Sequence, residues 1–167
     1  MNDDEDDDED VDEDEDDDEN DDEDDDEDDD DNKYYYIMNI IDNLLLDQVT
    51  AQAKESPRLR MNYNFHDRLD APAQRLLNAL EPGTVLPIHR HTETAETYVL
   101  LRGRMKVMYY DDEKNLVEEC ELNPTEGRYG VHIPKGQWHT IEVLESGSVI
   151  FEVKDGPYRP LEPRDVL

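Results

Sequence analysis

Residues Gly83–Gly103 read GTVLPIHRHTETAETYVLLRG and place His89, His91 and Glu96 within eight residues. On an extended segment, residues i and i+2 point to the same side, so His89 and His91 present their imidazoles to one space. Glu96 follows after Thr92–Ala95, a stretch of hairpin-loop length. A returning strand can therefore set its carboxylate beside both rings. His139, in the downstream PKGQWH, is a fourth candidate ligand. Three imidazoles and a carboxylate make a nitrogen- and oxygen-rich donor set suited to a divalent transition ion.

Around this stretch the pattern is β. Beyond Pro82-Gly83, short segments rich in Val, Tyr and Ile alternate with turn signals at 92–95, 102–104, 111–115, 123–127, 134–137, 145–148 and 154–157. Many short strands at such spacing predict a sandwich or barrel. From Glu96 the same-face series runs Tyr98, Leu100, and from His139 it runs Ile141, Val143, so each ligand would stand above an apolar floor. Cys120, on the alternating strand 116–122, reads as a small buried hydrophobe. Tyr63 and Trp138 read as packing aromatics. The C-terminal GPYRPLEPRDVL has three prolines and no β period, which predicts an irregular segment.

Ahead of the barrel, KYYYIMNII at 33–41 suggests a short extended segment or the lead into a helix. Asp42 or Asn43 can cap a helix running to about Lys54, with Leu44, Leu45, Val49 and Ala53 as a loose apolar face. Ser56-Pro57 ends it, because the residue before proline disfavours the α conformation. Next, RLRMNYNFH at 58–66 alternates strictly. Leu59, Met61, Tyr63 and Phe65 form one face; Arg58, Arg60, Asn62, Asn64 and His66 form the other, as in a half-buried strand. That polar face is either a solvated surface or a ligand face, with Arg58 and Arg60 gripping a phosphate or carboxylate and Asn62 and Asn64 meeting hydroxyls. QRLLNALE at 74–81 fits a helix or a strand buried on both faces.

Composition separates this folding part from its N-terminus. Residues 1–32 hold 27 of the 48 Asp and Glu and no Lys or Arg, so the rest of the chain carries only −5 of the overall −32. Such charge density, broken only by Val11 and Asn20 between Asn2 and Asn32, predicts a disordered tail. A polyanion that occupies a basic partner is the sharper alternative. Its field repels phosphates and argues against nucleic-acid binding. The single cysteine excludes an intrachain disulfide and a cysteine zinc cluster. The acidic N-terminus lacks a secretory pattern, and the apolar runs are too short to span a membrane. A cytoplasmic protein is the expectation, with boundaries at 1–32 for the tail, 33–73 for the helix and extended strand, and 74–167 for the barrel.

The Gly83–Gly103 stretch resembles the first cupin motif: glycine, five residues, His-X-His, three or four residues, glutamate, six residues, glycine. Gly83, His89, His91, Glu96 and Gly103 fill every position. The second cupin motif is matched by Pro134-Lys135-Gly136 and, two residues on, His139. It departs at its ends, where Gly127 and Gly130 miss the usual glycine and Val143 replaces asparagine. The flanking SPRLRMNYNFH, QRLLNALEPGTVLPIHRH and FEVKDGPY are similar to the WbuC-type cupins over residues 40–160.

The resemblance implies a mainly β cupin double-stranded β-helix, a jelly-roll barrel, and settles 74–81 as a strand. It implies His89, His91, Glu96 and His139 as ligands to one divalent Fe, Zn, Mn, Ni or Co ion. Two coordination positions then remain for a bidentate small polar substrate. WbuC-type proteins accompany surface-polysaccharide (O-antigen) gene sets, which suggests a sugar or nucleotide-sugar and isomerase, epimerase or lyase chemistry. Tyr98, His66 and His132 are the candidate proton-transfer groups. A non-catalytic metal- or sugar-binding module and an Fe(II) dioxygenase are the alternatives. A homodimer is expected by analogy with other cupins.

Overall fold

The computed structural model describes residues 38–167. The acidic tail and the start of the 33–41 lead-in lie outside the described residues, and residues 39–167 form one compact unit. The chain begins with helix α1 (Asn43–Glu55), followed by strands β1 (Arg60–Asn64) and β2 (Ala73–Leu80). After a long irregular crossing come β3 (Glu96–Arg102), β4 (Met105–Tyr110) and β5 (Leu116–Leu122). A single 3-10 turn (Pro124–Glu126) precedes β6 (Gly130–Ile133), β7 (Trp138–Val143) and β8 (Ser148–Asp155), and a second (Pro163–Asp165) lies near the C-terminus. Among the described residues no helix is long and apolar enough to cross a membrane.

All strand pairings are antiparallel, in a five-stranded sheet ordered β1-β2-β8-β3-β6 and a three-stranded sheet ordered β5-β4-β7. The stretch at 74–81 is indeed a strand. It is buried on both faces because two cores flank the five-stranded sheet. Leu80, Tyr98, Leu100 and Ile150 turn inward to meet Met105, Val107 and Ile141 of the other sheet. On the opposite face, Leu77, Ala79 and Val149 receive α1 and the Met61-Tyr63-Phe65 side of β1.

Helix α1 starts where Asp42 accepts a hydrogen bond from the Leu45 amide at 3.1 Å, and it stops at Ser56, whose backbone is extended ahead of Pro57. Its buried side is Leu46, Val49, Thr50 and Ala53, whereas Leu44 is 77% exposed, so the expected face is corrected by one position. Arg102 fixes the helix to the sheet through Asp47 at 2.6 Å and Thr50 Oγ1 at 2.8 Å. The strand at 58–66 starts later than expected, because Leu59 adopts a left-handed φ of 55° that a β ladder excludes.

The C-terminal segment holds no strand beyond β8 and is tied down by single contacts. Val166 bridges to His89, and the Leu167 amide donates to the Ile88 carbonyl at 2.8 Å. Gly103, between β3 and β4, has φ +91°, and a Cβ there would lie 2.7 Å from Ser148 Cα. Both the backbone and the close approach require glycine. Gly103→Ala should therefore lower stability by roughly 1–3 kcal/mol; an unchanged thermal midpoint would contradict this account of the turn.

Candidate metal centre

His89 and His91 lie in the crossing between β2 and β3, on no regular strand. Pro87 has no amide to donate, and only short bridges hold the segment. The His89 amide donates to the His139 carbonyl at 3.0 Å, and the His139 amide returns the bond at 2.8 Å. This antiparallel pair sets the His89 and His139 rings side by side, with centroids 4.3 Å apart. His91, two residues on, brings its ring centroid to 5.1 Å from that of His89. The Gly136 amide, in the turn before β7, pins the His91 carbonyl at 2.9 Å.

Glu96 arrives from the other sheet. β3 pairs with β6 and β8 and not with the histidine segment, so Thr92–Ala95 is a crossing between sheets instead of a hairpin loop. The carboxylate nevertheless reaches the rings. Oε2 lies 3.7 Å from His91 Nε2, and Oε1 lies 2.7 Å from His139 Nε2. Ligand atoms of His89, His91 and Glu96 all fall within 4.8 Å of one another. His139 stands at the edge of this triad, next to Glu96 and farther from His91, at 6.1 Å between ring centroids.

Tautomers sharpen the chemistry. His89 Nδ1 meets the Pro87 carbonyl at 3.0 Å, and His139 Nδ1 meets the Gln137 carbonyl at 2.9 Å. A carbonyl only accepts, so each Nδ1 carries the proton and each Nε2 keeps its lone pair. Backbone carbonyls commonly orient metal-binding histidines in this way. His139 Nε2 is buried and has no hydrogen-bond partner of good geometry, despite its 2.7 Å approach to Glu96 Oε1. At that distance the contact needs a proton shared with the carboxylate or a metal cation beside both atoms. The donor set therefore fits a divalent ion, with imidazole nitrogen and carboxylate oxygen as its ligand atoms.

Electrostatics agree. Burial, reinforced by His139, pushes His89 down to about 4, and burial pushes His91 down to about 4 against the pull of Glu96. Burial alone would raise the Glu96 carboxyl, but His139, His91 and Lys154 together hold it well below the usual range. At neutral pH the cluster is thus two neutral imidazoles and a carboxylate, the forms a metal ion requires. Tyr98 donates from its hydroxyl to Glu96 Oε1 at 2.9 Å and fixes the carboxylate from below; burial and Glu96 raise its own phenol.

The triad opens on a cavity of about 240 Å³, whose wall includes Arg58, Arg60, Asn62 and Tyr98. Other expected groups lie elsewhere. Asn64 does not line the cavity. His66 is held at the β1–β2 edge by the Arg75 amide at 3.3 Å, away from the triad. His132 is exposed, with Nδ1 2.9 Å from Thr97 Oγ1, because Thr97 faces opposite to Glu96 and Tyr98. Trp138 packs under the Arg90 guanidinium at 4.3 Å from the ring centroid.

The cavity also recruits groups the motifs do not mark: Asn78, Glu152, Lys154 and Arg159. Burial and the charge of Glu96 raise the Glu152 carboxyl. Lys154 lies 3.9 Å from both Glu96 and Glu152. Their signal was parity: Glu152 and Lys154 follow Ile150 on the inward face of β8, and Asn78 precedes Leu80 on that of β2. A polar residue at an inward position is the informative kind.

Comparisons with known proteins bear on the fold. A family model described as a domain of unknown function (DUF6016) matches residues 41–122. No curated protein matches the sequence. The structure of CapF with the inhibitor 3-isopropenyl-tropolone superposes with TM-score 0.53 and 21% identity, over 63% of this chain and 30% of that one. The capsular polysaccharide assembling protein CapF from Staphylococcus aureus gives TM-score 0.52 and 20% identity, over 63% and 28%. KdgF from Halomonas sp. gives TM-score 0.49 and 17% identity, over 62% and 84%. The chain thus spans under a third of each CapF chain. Two antiparallel sheets closed into a barrel, with cupin-fold structures as neighbours, define a protein of the cupin fold.

The lowered histidines carry a pH prediction for metal-free protein. Unfolded imidazoles take up protons near about 6.5, the folded ones only near about 4. Between these values the unfolded chain binds more protons, so stability is full above the upper value and is lost as pH falls through the lower. Thermal melting of chelator-treated protein should show that decline, and replacing both His89 and His91 by Gln should flatten it. A melting temperature constant across the window would refute the assignment.

Proposed function

We propose that this chain is a mononuclear-metal cupin enzyme acting on a sugar or nucleotide-sugar in surface-polysaccharide synthesis, by isomerase, epimerase or lyase chemistry. The observation that carries the reading is the buried, unpartnered His139 Nε2 facing the Glu96 carboxylate beside His89 and His91. His89, His91, Glu96 and His139 would hold the ion. A bound divalent ion would supply Lewis acidity toward a substrate carbonyl or hydroxyl. The assembly role printed for CapF is in keeping with a polysaccharide setting.

The chain's own residues would do the rest. Tyr98 keeps Glu96 oriented through its hydroxyl and stays protonated, which suits a positioning role. Glu152 is the better proton-transfer group. It is buried in the same cavity, its carboxyl is raised toward the working range of a general acid or base, and Lys154 lies beside it. Proton removal next to a polarised carbonyl, followed by return to the other face or loss of a leaving group, accounts for epimerisation and elimination alike.

Elemental analysis of purified protein should find one equivalent of a divalent transition metal, and His91→Ala should lose it. Glu152→Gln should keep the metal and the fold while turnover of a nucleotide-sugar falls by about 10²-fold or more. Ligand-induced thermal stabilisation without turnover in any metal form would replace the enzyme by a binding module. Oxygen consumption by the Fe(II) form would replace it by a dioxygenase.

A further inference from the structure

We propose that Arg58, Arg60 and Arg159 form a subsite for an oxyanion, a carboxylate or phosphate carried by the substrate, beside the His89–His91–Glu96 cluster. This deepens the metal-cupin reading and rests on it. Arg68, Arg90, Arg102, Arg104, Arg128 and Arg164 each lie within ion-pair distance of a carboxylate. Among the described residues Arg58, Arg60 and Arg159 have no such partner, although acidic groups outnumber basic ones in the folding part. Arg75 also lacks one, but it lies on the face of β2 opposite Asn78. The three line one cavity. Of the two carboxylates of that cavity, Glu96 is held by His139 at 2.7 Å and by the Tyr98 hydroxyl at 2.9 Å, and Glu152 lies 3.9 Å from Lys154. Among the described residues neither carboxylate lies within ion-pair distance of the three arginines.

The backbone sets this arrangement at a cost. Arg58 and Arg60 flank Leu59, which holds a left-handed φ of 55°, a strained conformation for a non-glycine residue. Arg60 Nη1 donates to the Val85 carbonyl at 2.8 Å, which steers the guanidinium along the wall. Burial, together with the Arg58 charge, lowers the Arg60 guanidinium. Arg159 comes from the C-terminal segment, tied down by the Tyr158 amide to the Leu69 carbonyl at 2.8 Å. An anion received between these groups would relieve their repulsion, and guanidinium forks match carboxylate and phosphate oxygens.

A second observation describes the rest of the ligand. Asn78 Oδ1 is buried in this cavity without a hydrogen-bond partner, an acceptor suited to a ligand hydroxyl. Asn62, its cross-strand neighbour, lines the same wall. Guanidiniums for an anion and amides for hydroxyls describe an acidic or phosphorylated sugar. A neutral sugar would leave the arginines uncompensated.

Calorimetric titration of the full-length, metal-stripped protein with inorganic pyrophosphate and with glucuronate tests this without metal ligation of the probe. At about 0.15 M salt, contributions from distant surface charge are screened. At least one probe should bind, with Arg60→Gln and Arg159→Gln each weakening it by about tenfold or more. Arg60→Lys should be intermediate, and zinc uptake and melting temperature should stay as in the wild type. Preference for pyrophosphate assigns the anion to a nucleotide-sugar or sugar phosphate, and preference for glucuronate assigns it to a sugar acid. Failure of both probes, or equal affinity in wild type and variants, overturns the subsite. Arginine-dependent binding in a protein that takes up no zinc or other divalent metal overturns the metal reading and leaves the subsite standing.

Discussion

The structure turns on a meeting of acceptors. Three imidazoles and a carboxylate meet where the two sheets close; His89, Glu96 and His139 are buried and His91 is partly so. Burying polar groups without partners is costly, and the fold meets most of that cost locally. Pro87 and Gln137 carbonyls accept from two Nδ1 atoms, and Tyr98 donates to Glu96. What these bonds leave is a group of ligand atoms of His89, His91 and Glu96 within 4.8 Å of one another, with His139 beside Glu96. A cation placed there would meet donor atoms that these bonds have already oriented.

This convergence ties the architecture together because its members come from both sheets. The histidine segment pairs with β7 of the smaller sheet, whereas Glu96 begins β3 of the larger. The crossing at 92–95 thus closes the barrel at its open end. The far end is closed by apolar packing among Leu80, Leu100, Met105 and Ile141. Helix α1 sits outside this enclosure, on the reverse face of β2 and β8. Its role is to cover a sheet that would otherwise expose Leu77, Ala79 and Val149, and no residue of it lines the cavity.

How far these features could be read in the sequence follows from their range. Same-face spacing exposed His89 with His91, and Glu96 with Tyr98, because two-residue periodicity is local. Asp42 and Ser56-Pro57 marked both ends of α1 for the same reason. The partner of β3 was not local. A four-residue gap suggests a hairpin, and only the pairing of β3 with β6 and β8 shows that the chain changes sheets instead. Arg159 was hidden likewise, since a proline-rich tail has no period that would place it over the cavity. Leu59 shows a subtler limit: its alternating neighbours predict a strand, while the positive φ comes from the turn that delivers Arg58.

Charge connects the two halves of the site. Four neutral-or-anionic protein ligands, of which only Glu96 is charged, would leave a divalent ion with a residual positive charge. Lys154 is already shared between Glu96 and Glu152, so it neither cancels nor adds much. The three arginines would add to that positive field along the cavity wall, where Arg60 is the least exposed of them. Such a site would discriminate by sign before it discriminates by shape. The ion would determine which bond is activated, whereas the arginines would determine which molecules remain long enough for it to matter. Binding energy spent on a remote anion is also the kind that can orient a reacting carbon without being lost in the transition state.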